Sequence, residues 1–246
     1  MKNYTSYDLI EWGKPFEKSQ HALPEPTLSE VLIRVTAAGL CHSDLHVQKG
    51  YMDLGEEGRL TFAERGAQLP MTFGHEIAGI VEAVGDKVKN VSIGQQVLVF
   101  PWIGCGDCLA CNEDRESDCS AMRIIGLKQK GGFATHCLIE NEKFLVNLDG
   151  LDAADVVTHA CSGITVYNAL EKIGSLRDGE WLAVMGCGGL GLNAIAIANA
   201  MGFGNIIGID IDNSKLDAAR EMGASKTLNS KSANAVAELQ KYAESR

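Results

Sequence analysis

Four cysteines fall within one short segment of the chain, and this segment constrains the fold more than any other feature of the sequence. They are Cys105, Cys108, Cys111 and Cys119, at spacings of three, three and eight. Four thiolates this close can surround one Zn²⁺ tetrahedrally and leave no position open, which stabilises a loop without taking part in a reaction. The spacing therefore predicts a structural zinc lobe at about 101–120, and any reaction must be carried by other residues.

Disulfides and an iron–sulfur cluster are the competing interpretations of these thiols. Cys105 and Cys108 would share a tight turn, where neighbouring thiols suit chelation better than pairing. A bacterial ferredoxin run ends with a gap of three residues and then a proline, whereas seven residues separate Cys111 from Cys119. The spacings therefore favour zinc.

Length and charge limit the classes of function that the chain can have. Its 246 residues are 46% hydrophobic and carry a formal net charge of −10 at pH 7. That length can bury one large core or two smaller ones, and the negative charge argues against nucleic acid or an anionic membrane as a partner. Residues 1–16 lack the basic start and apolar stretch of a signal peptide, and the nearest approach to a membrane span, 190–201, is interrupted by two asparagines. We expect a cytoplasmic enzyme that acts on small molecules and keeps its thiols reduced.

The hydrophobic pattern changes near residue 150. Before it, alternating stretches predict strands of a partly closed β-barrel at 31–36, 77–84, 97–100 and 133–139. After it, helices at 164–173, 190–201, 214–222 and 233–242 surround short apolar strands at 181–185 and 206–209. Such alternation predicts a parallel sheet with helices on its faces. We therefore expect an α/β protein with domains at 1–150 and 151–246, the second with a half-built sheet.

A glycine-rich turn joins the first predicted strand and helix of the second half. Gly186, Gly188 and Gly191 have the G-x-G-x-x-G spacing, which lets the backbone and a helix N-terminus approach a pyrophosphate. Asp210 ends the next strand, where a carboxylate can accept hydrogen bonds from ribose hydroxyls and repel a 2′-phosphate. The glycines alone could serve only tight packing. Together with the strand, the helix and Asp210, they predict a dinucleotide site that favours NAD over NADP.

Three further residues that can bind a metal are Cys41, His75 and Cys161. Two cysteines and one histidine leave the fourth position on zinc open to water or an alcohol, which is typical of a catalytic site. Taken singly, each has an ordinary alternative as a small core residue or a hydrogen-bonded turn histidine. Beside a closed four-Cys lobe and a nucleotide fold, the three together indicate a second metal.

These motifs stand in the order found in zinc-dependent medium-chain alcohol dehydrogenases, and residues 25–246 resemble that family. The resemblance rests on the Cys41 to His46 segment, Gly74-His75-Glu76, the four-Cys lobe, Cys161 and the stretch from Gly186 to Asp210. It implies a GroES-like catalytic domain at 1–150 and the first half of a Rossmann domain at 151–246. It also implies reversible hydride transfer between an alcohol and NAD. A polyol or sugar dehydrogenase of the same family is the alternative.

The resemblance also implies roles for individual residues. Cys41, His75 and Cys161 would hold the catalytic zinc, with Glu76 as an alternate ligand and Asp44 orienting His75. Ser43 and His46 would relay the proton that the alcohol loses, while zinc acts as a Lewis acid and NAD carries the redox chemistry. The implied cofactor contacts are His42, Thr165, Gly186, Gly188, Gly189, Leu190, Gly191, Asp210 and Lys215.

Two features depart from the family pattern. Thirty-three residues separate Cys41 from His75, and the surplus falls at 51–70, either as a lobe near the substrate mouth or as a surface insertion. The chain also stops at residue 246, short of a complete family member, so a zinc-binding fragment without activity is a further alternative. A half-built sheet would expose a strand edge. Because only half of the nicotinamide site would be present, we expect little or no turnover from this chain alone, and a homo-oligomer when full length.

Overall fold

The computed structural model describes residues 2–244, which form two compact units that divide between Cys161 and Ser162. The strands of the first unit are β1 (Asn3–Leu9), β2 (Glu17–Ala22), β3 (Val31–Gly39), β4 (Tyr51–Asp53), β5 (Arg59–Thr61), β6 (Met71–Thr72), β7 (Glu76–Val84), β8 (Gln96–Val99), β9 (Trp102–Ile103), β10 (Arg123–Ile124), β11 (His136–Ile139) and β12 (Leu145–Asn147). Its α-helices are α1 (His42–Lys49), α2 (Leu109–Asn112) and α3 (Ala153–Val156).

The second unit alternates helices and strands, as its hydrophobic pattern predicts. Its strands are β13 (Leu182–Met185), β14 (Ile206–Asp210) and β15 (Lys226–Asn229). Its helices are α4 (Ser162–Ile173), α5 (Gly189–Ala200), α6 (Asn213–Glu221) and α7 (Ala235–Glu244). None of the helices in the described range 2–244 has both the length and the apolar character needed to cross a membrane.

An antiparallel sheet in the order β11-β3-β7-β8-β12 forms the centre of the first unit. Because side chains alternate along each strand, one face of the sheet buries a cluster that includes Val31, Ile33, Ile77 and Val97. The outer strands β11 and β12 do not pair with each other within the described residues, so the sheet is open. β3 ends at Gly39, which pairs directly with Glu76 at the start of β7.

A smaller antiparallel sheet in the order β2-β1-β6 has three strands, none of which the sequence pattern predicted. β1 breaks the expected alternation because Ser6 and Asp8 are buried polar residues. Asp8 is satisfied by the Thr72 hydroxyl, which donates to its Oδ1 at 2.6 Å. Polar residues that are buried but paired hide a strand from an analysis based on hydrophobicity.

The described units divide later in the chain than the predicted domains, 1–150 and 151–246, which remain a prediction. α3 packs against β3 and β8, and Val157 is buried with Ala78 and Leu148. These contacts join the segment leading to Cys161 to the first unit.

The second unit is built on a parallel sheet in the order β13-β14-β15. One face buries Ile206 with residues of α4, α5 and α6, and the other buries Ile207 and Ile209 with Leu228 and Ala235. α7 begins two residues later than predicted, and its Val236 is 72% exposed. The buried side of α7 instead carries Ala235 and Leu239.

Candidate metal centres and dinucleotide turn

Four potential metal ligands from three separate segments meet in the first unit. They are Cys41, His75, Glu76 and Cys161, and their ligand atoms all lie within 4.8 Å of one another. Cys41 is the N-cap of α1, Glu76 begins β7, and Cys161 ends the unit. Folding therefore assembles the three ligands that the sequence predicted, together with Glu76.

Asp44 positions two of these ligands from one buried carboxylate. The backbone N–H of Cys41 donates to Asp44 Oδ2 at 2.8 Å, and His75 Nδ1 lies 3.4 Å from Asp44 Oδ1. Since Nδ1 of His75 is held by the carboxylate, Nε2 is the nitrogen left to bind a metal. This arrangement supports the predicted role of Asp44.

The ionisable groups of the site shift one another's pKa values. Cys41 Sγ lies 3.9 Å from Cys161 Sγ and 3.0 Å from Ser43 Oγ. Hydrogen bonding by Cys161 and His75 lowers the pKa of Cys41 to about 3, and the adjacent Cys41 raises the pKa of Cys161. Burial opposes a charge on His75, but Asp44 and the Cys41 thiolate outweigh it and raise the pKa of His75 to about 10. His75 and Cys161 therefore hold their protons tightly beside the Cys41 thiolate. A divalent cation bound between these groups would displace the protons and balance the negative charge of the thiolates.

Glu76 has a buried oxygen without a partner. Its Oε2 accepts no hydrogen bond from any residue in the described range, and burial together with the Cys41 thiolate raises the Glu76 pKa to about 7. A Cβ atom at Gly39 would lie 1.9 Å from this oxygen, so the glycine makes room for the carboxylate. Two sulfurs, an imidazole and an orphaned carboxylate oxygen fit an open zinc site with Glu76 beside the metal. The sequence analysis did not identify Gly39.

The four-Cys segment forms the second metal group of the first unit. The ligand atoms of Cys105, Cys108, Cys111 and Cys119 also lie within 4.8 Å of one another. The backbone N–H of Cys105 donates to Cys119 Sγ, and that of Cys108 donates to Cys105 Sγ, both at 3.4 Å. Backbone hydrogen bonds from Asp107 and Cys108 lower the pKa of Cys105 to about 6. Four converging sulfurs fit a closed tetrahedral zinc, as the spacing predicted.

The glycine turn of the second unit has the predicted strand–turn–helix context. Gly186 follows β13 with φ of 90°, and Gly188 caps α5. A Cβ at Gly191 would lie 1.8 Å from the Gly186 carbonyl oxygen, so only glycine fits there. At Gly186, Gly188 and Gly189 an added Cβ would meet no described atom within 4 Å, which leaves space above the turn for a phosphate.

Asp210 is tied to this turn. Its Oδ2 accepts the N–H of Cys187 at 2.7 Å, and its Oδ1 accepts the N–H groups of Ile211 at 2.7 Å and Asp212 at 3.0 Å. The bond from Cys187 is the main cause that lowers the Asp210 pKa. The carboxylate therefore stays ionised and also joins the end of β14 to the glycine turn, a structural role that the sequence pattern did not reveal.

The remaining predicted residues lie on helices. His42, Ser43 and His46 are on α1, and the rings of His42 and His46 are 4.8 Å apart. Leu190 at the start of α5, Thr165 on α4 and Lys215 on α6 are exposed. Their contacts with a cofactor stay predictions.

Comparisons with known proteins agree with this fold. Residues 27–150 match the model of the alcohol dehydrogenase GroES-like domain, and residues 189–246 match that of the zinc-binding dehydrogenase domain. The chain is 40% identical over 235 residues to the NAD-dependent alcohol dehydrogenase of Sulfurisphaera tokodaii, an alignment that covers 95% of this chain and 66% of the relative. It thus spans about two thirds of the length of that relative.

Solved structures show the same architecture. The alcohol dehydrogenase of Aeropyrum pernix superposes with a TM-score of 0.83 at 26% identity, covering 97% of this chain and 68% of that one. Galactitol-1-phosphate dehydrogenase from Escherichia coli superposes with a TM-score of 0.82 at 28% identity, covering 98% and 66%. The chain belongs to the zinc-dependent medium-chain alcohol dehydrogenase family.

Proposed function

We propose that the chain is the zinc-binding and cofactor-binding part of an enzyme that transfers a hydride between an alcohol and NAD. The observation that carries the proposal is the open ligand set of Cys41, His75 and Cys161 around the orphaned oxygen of Glu76. When bound, zinc would polarise the oxygen of the alcohol or carbonyl, and NAD would exchange the hydride. The names of the alcohol dehydrogenase relatives support this reaction.

The residues around the ligands support proton handling at the site. Ser43 Oγ lies 3.0 Å from Cys41 Sγ, so the hydroxyl reaches the edge of the ligand set. His46 is one turn further along α1 and only partly buried, so it can exchange a proton with solvent. We therefore propose that Ser43 accepts the proton of the alcohol and that His46 then passes it to solvent.

In the second unit we propose that Gly186, Gly188, Gly189 and Gly191 seat the pyrophosphate and that Asp210 selects NAD. The space above the turn and the ionised Asp210 support this assignment. We place His42 and Leu190 with the phosphates, Thr165 with the nicotinamide and Lys215 with the adenosine ribose. All eight cysteines are free thiols, which supports work in a reducing cytoplasm.

A polyol or sugar substrate is the second candidate. The similarity to galactitol-1-phosphate dehydrogenase, at 28% identity, supports it about as well as the similarity to the Aeropyrum pernix enzyme, at 26% identity, supports a simple alcohol. Relative kcat/KM values for simple alcohols and for polyols distinguish the two candidates. We also propose that the whole enzyme is a homo-oligomer, which analytical ultracentrifugation would test.

The test of the reaction is steady-state NAD reduction with a panel of alcohols and polyols. It uses the 246-residue chain and a chimera that adds the part of the Sulfurisphaera tokodaii relative that this chain does not match. We expect zinc-dependent turnover in the chimera, its loss in His75→Ala, and slower proton release with a changed pH profile in His46→Gln. Absence of NADH formation from both proteins, although each binds zinc and NAD, would contradict the proposal.

A further inference from the structure

Residues 51–70 connect the two segments that supply most of the open metal site. Before them lies α1, which is capped by the ligand Cys41 and contains Asp44. After them come Met71, Phe73 and then His75. The spacing between these two segments therefore depends on how the intervening residues are anchored.

A backbone hydrogen bond connects residues 51–70 to the C-terminal end of α1. Gly50, the C-cap with φ of 89°, donates its N–H to His46 and Val47, and its carbonyl accepts the N–H of Phe62 at 3.0 Å. Between these anchor points, β4 and β5 form a hairpin, with Tyr51 paired to Thr61. The hairpin therefore brings Phe62 back to Gly50 at the C-terminal end of α1.

The side chain of Phe62 provides a second anchor. Phe62 is 8% exposed, and it belongs to a buried cluster with Leu9, Val47 on α1 and Phe73. Val47 and Phe73 are 2% and 1% exposed. The cluster therefore contains a buried residue from α1 and one from the segment that leads to His75. Leu54, at the other end of the hairpin, is 43% exposed.

We propose that Phe62 is a positioning residue for the open metal site, and that it holds α1, with Cys41 and Asp44, at a fixed spacing from the segment that carries His75. This inference rests on the proposed function, because it requires a metal between these residues. A small shift between α1 and His75 would lengthen the contact of 3.4 Å between Asp44 Oδ1 and His75 Nδ1 and spread the ligand atoms apart.

The experiment measures zinc release to a chromophoric chelator, 4-(2-pyridylazo)resorcinol, from the 246-residue protein. The thiolate lobe serves as the internal reference because it lies in a different segment of the same unit. The variants are Phe62→Ala, Phe62→Leu and the exposed-hairpin variant Leu54→Ala. Ile139→Ala, which truncates a fully buried residue of the other core cluster, controls for general loss of stability.

Of the two zinc ions, we expect the one held by Cys41, His75 and Cys161 to be released faster than the one in the lobe. In Phe62→Ala its release should accelerate about 10- to 100-fold, the factor by which metal affinity falls when groups that orient ligands are lost. Release from the lobe should not change, Phe62→Leu should recover most of the retention, and Leu54→Ala and Ile139→Ala should behave like the parent. If Phe62→Ala does not fold, an intermediate release rate in Phe62→Leu supports the proposal. Parental release in every folded Phe62 variant overturns it, as does equal acceleration in Ile139→Ala. A parent protein that binds no zinc at Cys41, His75 and Cys161 would instead overturn the proposed function.

Discussion

Gly39 and Glu76 face each other across β3 and β7 so closely that a Cβ on Gly39 would lie 1.9 Å from Glu76 Oε2 and 2.9 Å from Glu76 Cβ. The absence of a side chain at Gly39 is therefore what admits a buried carboxylate beside the thiolates. Its backbone is not in the left-handed region, so space rather than conformation requires the glycine.

Gly39→Ala should push Glu76 out of place and disturb the open metal site. We expect the free energy of unfolding to fall by about 1–3 kcal/mol, as for other overpacked sites. We also expect weaker binding of the readily removed zinc. Urea denaturation and zinc titration measure both effects. Gly204→Ala is the matched control, because a Cβ there meets no described atom within 4 Å, and equal behaviour of the two variants would contradict the account.

Asp210 should control both cofactor choice and the geometry of the glycine turn. Asp210→Ser removes the carboxylate, so NAD should bind about 10- to 100-fold more weakly, from roughly 1.5–3 kcal/mol for a hydrogen bond to a charged group. The penalty against NADP should become smaller because the repulsion of its 2′-phosphate is removed.

Asp210→Asn is the comparison for this experiment. It removes the charge but keeps an oxygen that can accept the Cys187 N–H, so the turn should stay closer to its parental geometry. Calorimetric titration with NAD and NADP gives both affinities. Equal affinity of the parent protein for the two cofactors would show that Asp210 does not select NAD.

Asp8 should make the first unit sensitive to acid. Burial alone would raise its pKa, but hydrogen bonds from Thr72, Ser19 and Ser6 outweigh burial and lower the pKa below the ordinary value of 3.8. Because the folded pKa is the lower one, this stabilisation is complete above the unfolded pKa and disappears as pH falls through the folded pKa.

The free energy of unfolding of the parent protein should therefore fall more steeply below about pH 4 than that of Asp8→Asn. At neutral pH, Asp8→Asn should be less stable by about 1–3 kcal/mol, since it weakens a buried hydrogen-bonded group. Urea denaturation across this pH range provides the measurement, with the exposed Asp86→Asn as control. Parallel pH dependence of the parent and Asp8→Asn would show that Asp8 does not cause the acid sensitivity.

The two groups of residues that could hold a metal were predictable from the sequence, because cysteine and histidine are common metal ligands and their spacing in the chain is informative. α1 was not predicted, because Asp44 and Val47 are its only buried residues and no apolar period marks it. Its start is fixed instead by reciprocal bonds between Cys41 and Asp44. β15 was also missed, since Leu228 is its only buried residue.

The requirement for Gly39 could not be predicted, because it comes from a side chain on another strand. The structural role of Asp210, which joins the end of β14 to the glycine turn, could not be predicted for a similar reason. Its partner Cys187 lies in the glycine turn, 23 residues earlier in the chain. Phe62 stood in a segment that the sequence left open between a lobe near the substrate mouth and a surface insertion, and only the tertiary cluster shows its burial. Residues whose role depends on a distant partner leave little signal in a local pattern.

Zinc stoichiometry, measured by mass spectrometry before and after a short exposure to chelator, tests the central claim most directly. We predict up to two zinc ions per parent chain, with one removed readily and one retained by the lobe. His75→Ala should lose the readily removed ion and keep the other, whereas Cys111→Ser should lose the retained ion and unfold at lower denaturant. A folded parent protein without zinc, iron in the lobe, or unchanged zinc content in His75→Ala would contradict the claim.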